Sequence, residues 1–178
     1  MKKRDVIVNA AAYFVFTLLS CVFASLFSSM LVKLVNKFVV LDYTVNAGIR
    51  AVALLLVSAF FVLFFSYKNG YHTAEFDKRE LIPASLLAAL VHFLVSLATV
   101  FVPLVAGAVK YIGGFIEFGS SFSSDSQLKN IPMAILIIVG VVCALVYAGL
   151  IILGNRMGVN KRLVDREALL RENNEEEK

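Results

Sequence analysis

A histidine inside an apolar run is the first residue of this chain with chemistry to offer. His92 stands ten residues into the stretch Ile82 to Val109, or ~15 Å along a helix rising 1.5 Å per residue. In a run that crosses a bilayer, that depth is close to the middle. A titratable ring there is suited to relay a proton or contact a ligand. It serves equally as a neutral group hydrogen-bonded to a neighbouring helix, holding a bundle together. No Asp or Glu lies inside any of the four long apolar runs. A proton path or a zinc site draws on such partners, so the structural role is the expected one.

Three further polar side chains share the interior. Tyr13 and Tyr147 each lie seven residues from the inner end of their runs, ~10 Å deep and one turn from the level of His92. These three, with Arg50, are a candidate intramembrane polar site. The competing expectation is two packed aromatics whose hydroxyls are satisfied locally. Arg50 lies five residues into its run from the outer side. Its long side chain is expected to snorkel to the interface. The alternative is a pair with Glu117 or Asp125 of the outer loop, placed to meet an anionic solute.

Other chemistry is missing from the sequence. Cys21 and Cys143 both sit inside apolar runs and read as small buried side chains. There is no Gly-rich phosphate loop, no paired His at metal spacing and no Gly-x-Ser-x-Gly. The segments between runs are too short to fold as catalytic domains. The expectation is a non-enzymatic protein with no metal and no cofactor.

The elements that must position these residues are membrane helices. Of the 178 residues, 60% are hydrophobic and the mean hydropathy is +0.83, where a soluble domain is nearer half apolar. Charged residues make up only 17% and cluster at the ends and in short breaks, the distribution of an integral membrane protein. The net charge of +4 does not call for a nucleic-acid partner, because the basic residues sit where membrane topology wants them.

Four spans are expected, at about 6–32, 45–67, 82–109 and 132–154, after a basic cytoplasmic start at 1–5. The first run is too long for a signal-peptide core and reads as a retained span. Lys33 to Thr44 extends it as an amphipathic segment at the surface. Pro83 and Pro132 suit the first turns of the third and fourth spans, where a missing N–H costs nothing. Residues 68–80 read as a short charged loop. Lys110 to Ile131, rich in Gly and Ser, reads as a mobile outer loop. The tail, 155–178, is charged and expected to be partly helical and partly disordered.

Each span has a face for other helices. In the third, Ser85, Ala88, Ala89, His92, Ser96 and Thr99 share one side, and Leu86, Leu90, Leu94 and Leu97 lie elsewhere. In the first, Ala24 and Ser28 belong to a small-residue face. In the fourth, Gly140, Ala144 and Ala148 form a ridge at small-xxx-small spacing. Two hairpins also echo each other. Tyr67-Lys68-Asn69-Gly70 and Asn155-Arg156-Met157-Gly158 are 88 residues apart, and each is followed at the same interval by an acidic–basic pair. That is the pattern of a parallel repeat; the competing explanation is that inner helix ends need a glycine stop and basic residues.

Orientation follows from Lys and Arg. Twelve lie in the start, the 68–80 loop and the tail, and four in the other breaks. The positive-inside rule then puts both termini in the cytoplasm. Tyr43 and Tyr111 mark outer ends, Tyr67 and Tyr71 inner ones. Basic inner segments, short connections and no Asn-x-Ser/Thr fit a bacterial inner (plasma) membrane. The fold class is an all-α multi-pass bundle embedded in the lipid bilayer. The expected function is an accessory or assembly subunit that packs as a homo-oligomer or in a larger membrane complex. The alternative is a small oligomeric transporter or channel with His92 near mid-bilayer.

Overall fold

A computed structural model describes residues 3–39, 42–72, 78–101 and 133–176. Four helices account for nearly all of them, with no strand among the described residues: α1 (Lys3–Phe38), α2 (Tyr43–His72), α3 (Lys78–Phe101) and α4 (Met133–Glu176). Three segments, Asp5–Phe38, Gly48–His72 and Gly140–Arg171, are long and apolar enough to cross a membrane. The apolar part of α3, Glu80–Val95, is shorter, and the rest of the expected third span, 102–109, lies outside the described residues. So does the outer loop with Glu117 and Asp125.

α1 packs on α2 and α3, and α4 on α2 and α3, so the helices occupy the corners of a square. The α2–α4 contact is the most extensive. One core cluster gathers Val6, Ala10, Tyr13, Val62, Leu81, Ala84, Ala88, Tyr147 and Ile151. The outer faces keep their bulky apolar residues exposed, among them Leu19 and Phe27 of α1, Leu56 and Phe60 of α2, Leu86 and Leu90 of α3, and Val142 and Leu145 of α4. An exterior of bulky apolar residues around a core rich in small and polar side chains is the arrangement lipid favours.

Several buried hydroxyls are satisfied within their own helices. Thr17 Oγ1 donates to the Tyr13 carbonyl at 2.8 Å, Ser20 to Phe16 at 2.6 Å and Ser85 to Ile82 at 2.8 Å. Such back-bonding lets Ser and Thr line a helix contact without an orphaned donor.

The boundaries depart from the sequence reading in three places. The 68–80 loop is shorter than expected, because α2 continues to His72 and α3 starts at Lys78. Gly70 is therefore inside a helix, and no described glycine has positive φ. Pro83 is the sixth residue of α3 rather than part of its first turn; the helix starts before it and absorbs one missing N–H. And α4 does not break at Gly154. It runs 44 residues through Asn155 into the charged tail as far as Glu176.

The glycines at these inner ends explain the continuity. A Cβ on Gly158 would overlap the Tyr67 carbonyl, one on Gly70 the Asn155 carbonyl, and one on Gly154 would lie 3.0 Å from Ser66 Cβ. Ser66 and Gly70 on α2 thus meet Gly154 and Gly158 on α4, each pair at i, i+4, with the two helices parallel. This is close backbone packing by small residues, and it needs helix on both sides.

Candidate functional site: two buried polar layers

Polar side chains meet inside the bundle at two levels. The inner level centres on Tyr13, which is fully buried. Its hydroxyl accepts from Asn155 Nδ2 at 2.9 Å and from Asn69 Nδ2 at 3.3 Å. α1 supplies the phenol, α2 and α4 one amide each. Asn155 is itself only 2% exposed, so its amide has left water and depends on protein partners. The two asparagines reach the same oxygen because the glycine contact beside them brings α2 and α4 together.

The second level lies deeper. Tyr147 OH donates to Ser58 Oγ at 2.6 Å, and Cys21 Sγ lies 4.0 Å from the same phenolic oxygen. Ser58 Oγ in turn donates to the Leu55 carbonyl at 3.0 Å. The His92 ring stands edge-on to the Tyr147 ring, with centroids 5.8 Å apart at 77°. All four helices contribute: Cys21 from α1, Ser58 from α2, His92 from α3 and Tyr147 from α4. Tyr13 and Cys21 are eight residues apart on α1, as are Asn155 and Tyr147 on α4, so the levels are ~12 Å apart.

The expected three-residue site is therefore divided. Tyr147 and His92 come together; Tyr13 belongs to the other level. Counting from apolar boundaries put both tyrosines at one depth. α4 passes its apparent boundary without a break, so its residues and those of α1 cannot be levelled that way. Arg50 is half-buried on α2, eight residues before Ser58 and ~12 Å from it along the axis. Its proposed acidic partners, Glu117 and Asp125, lie outside the described residues.

The small-residue positions all face inward. Ala24 and Ser28 are fully buried, and Ser28 Oγ donates to the Ser25 carbonyl at 3.1 Å. Ala144 and Ala148 form a cluster with Ala89 and Phe93 of α3. A Cβ on Gly140 would come 2.9 Å from a Phe93 ring carbon. The ridge of α4 thus packs on α3, while Gly154 and Gly158 pack on α2.

A third cluster lies where α2 ends. Arg162 Nη1 donates to the His72 carbonyl at 2.9 Å and to the Tyr71 carbonyl at 3.4 Å. A cation on the last carbonyls satisfies acceptors a helix leaves open and matches the negative end of its dipole. Tyr71 OH donates to Asp165 Oδ2 at 3.1 Å, and Lys161 Nζ lies 2.7 Å from Asp165 Oδ1. The Lys161 hydrogen bond holds the Asp165 carboxyl below the usual carboxylate range. Together these contacts clamp the start of the α4 extension to the end of α2.

Sequence reasoning missed Asn69, Asn155 and Ser58. The signal was present in the two hairpin ends, where an asparagine stands beside a small residue on each helix. Chemically, the two layers offer amides, hydroxyls, a thiol and an imidazole. Among the described residues, no three His, Cys, Asp or Glu side chains come together. No family model matches the chain, and comparisons with curated proteins and with solved structures gave no match.

Proposed function

We propose that this chain is a non-enzymatic accessory or assembly subunit of a membrane complex. In this reading it crosses a bacterial inner membrane four times, with spans at about 6–32, 45–67, 82–109 and 132–154, and keeps both termini in the cytoplasm. The asymmetry of basic residues supports the orientation. The parallel α2–α4 contact, in which Ser66 and Gly154 sit side by side 88 residues apart, is what a duplicated hairpin would leave.

One observation carries the proposal. α4 continues 22 residues past Gly154, ~33 Å beyond its span at 1.5 Å per residue. Its base is clamped by Arg162, Tyr71 and Asp165. Along it, Leu163, Val164, Leu169 and Leu170 stand exposed. In water, leucines on a rigid helix mark a surface that another protein covers. The test is purification of the tagged chain in mild detergent, followed by mass measurement, with and without residues 163–178. The full chain should carry a foreign partner and the shortened one should lose it. A closed homo-oligomer from both would overturn the reading.

That outcome would promote a small transporter or channel built by oligomerisation. The observation favouring it is the meeting of His92 with Tyr147 at mid-depth, a level where all four helices contribute a polar or titratable group.

A further inference from the structure

α2 carries an outward ridge unlike any other on the bundle. Phe60, Phe64, Lys68 and His72 follow one another at intervals of four, and all are exposed. The Phe60 and Phe64 rings stack at 6.3 Å and 14°. Behind them, Phe61 stacks on Phe23 of α1 at 5.2 Å, and Phe65 stacks on Phe16 at 5.8 Å. Phe61 and Phe65 meet the outer two rings edge-on. The ladder is braced from both helices, so its outer faces are held in place before anything binds.

Lys68 closes the inner end of this ladder. Its ammonium lies over the Phe64 ring, 5.9 Å from the centroid, within cation–π range. A lysine at a membrane boundary ordinarily extends toward water; this one folds back along the apolar surface. Among the described residues no carboxylate is paired with it. His72, one turn further, is held edge-on to Tyr71 at 5.5 Å. The ridge therefore presents flat aromatic faces at hydrocarbon depth and two nitrogen groups at headgroup depth.

We propose that this ridge binds an anionic phospholipid of the inner leaflet, with its phosphate at Lys68 and His72 and an acyl chain along Phe64 and Phe60. The assignment rests on the membrane reading above. Charge selects the lipid, because Lys68 faces the headgroup layer and is paired with no carboxylate among the described residues. The braced rings select the place, because a chain lying on them orders no protein side chain.

The sequence contains no tryptophan, so Phe64→Trp gives a single emitter on the ridge. The full chain carrying it is reconstituted in phosphatidylcholine vesicles. Quenching is then compared for brominated phosphatidylglycerol and brominated phosphatidylcholine. The anionic lipid should be preferred by roughly fivefold, the worth of one basic side chain near an anionic surface. Adding Lys68→Gln, which is exposed and leaves the bundle intact, should bring the two lipids level. Equal quenching before that change, or a preference that survives it, overturns the site. Leu145→Trp, on the exposed face of α4, separates the two levels of failure. If it is quenched while the ridge is not, something other than lipid covers the ridge and the proposal falls. If neither position is quenched, the membrane reading falls with it.

Discussion

Gly158 and Gly149 lie nine residues apart on α4, and adding one methyl group should move stability in opposite directions at the two sites. Gly→Ala inside a helix ordinarily gains about 1 kcal/mol from backbone entropy. At Gly149 nothing lies within 4 Å of the new Cβ, so that gain should appear nearly whole. At Gly158 the methyl would overlap the Tyr67 carbonyl and sit 2.7 Å from the Tyr71 nitrogen. Ordinary contact begins at 3.4 Å, so α2 and α4 must part by at least ~0.7 Å in an interior packed too tightly to absorb it. The obstructing atoms are backbone and cannot rotate away. Overpacking of this kind costs about 1–3 kcal/mol. Parting the helices here also stretches the Arg162–His72 and Tyr71–Asp165 contacts, at 2.9 and 3.1 Å. Interhelical bonds of this sort average about 0.6 kcal/mol each, so losing two adds roughly 1 kcal/mol. After the propensity gain, Gly158→Ala should be destabilised by about 1–3 kcal/mol. The assay is unfolding in detergent micelles by SDS titration, with both variants beside the parent. Shifts of the same sign would refute the close α2–α4 approach.

Three further outcomes are expected. Tyr13→Phe removes the acceptor shared by Asn69 and Asn155 and leaves a buried amide unmet, so it should cost about 1–3 kcal/mol; Tyr147→Phe loses one bond to Ser58 and should cost nearer 0.6 kcal/mol, both read by the same titration. His92→Asn should keep the melting temperature and His92→Leu should lower stability by roughly 0.6–2 kcal/mol; a stable His92→Asn protein that loses a pH-dependent phenotype would promote the transporter. Ser123→Cys and Asn173→Cys, in a background without Cys21 and Cys143, should label from opposite faces of intact cells, and labelling of both by an impermeant reagent from outside would overturn the four-span topology.

Which parts of this molecule were legible in the sequence depends on what each part needs. The extent of α1 follows from a run of apolar residues, and a run can be counted. The Tyr13–Asn69–Asn155 contact needed more: the level of one helix against another and the rotation of each about its axis. Periodicity fixes neither between helices. Gly70 and Gly158 are ambiguous in the sequence for a related reason. A glycine near an inner helix end is used both to stop a helix and to let one approach another, and one chain position cannot tell these apart. The distinguishing mark is a second small residue four positions before, on both partners. Ser66 with Gly70 and Gly154 with Gly158 both carry it. Pro83 reads as a first-turn residue because the apolar run starts at Ile82; α3 begins four residues earlier, at Lys78.

The small-residue faces bear on where a partner would bind. In lipid, bulky apolar ridges gain nothing by leaving acyl chains for another helix, so association there is driven by close packing and polar contacts. Ala24, Ser28, Gly140, Ala144, Ala148, Gly154 and Gly158 are the residues suited to that, and each is turned toward another helix of the same chain or buried among them. Among the described glycines, only Gly48 and Gly149 have open space beside them, and the α4 face around Gly149 is Leu145, Val146 and Leu153, all exposed. In the proposed topology the described surface within the bilayer would therefore offer a second protein little that lipid does not. In the proposed topology the balance changes beyond the bilayer, because there exposed Leu163, Val164, Leu169 and Leu170 would face water and their burial would be favourable in itself. A subunit that closes its small-residue faces on itself and projects leucines on a clamped helix would select its partner outside the membrane. On this account Leu163→Asp and Leu170→Asp should release a bound partner while leaving the SDS unfolding midpoint unchanged.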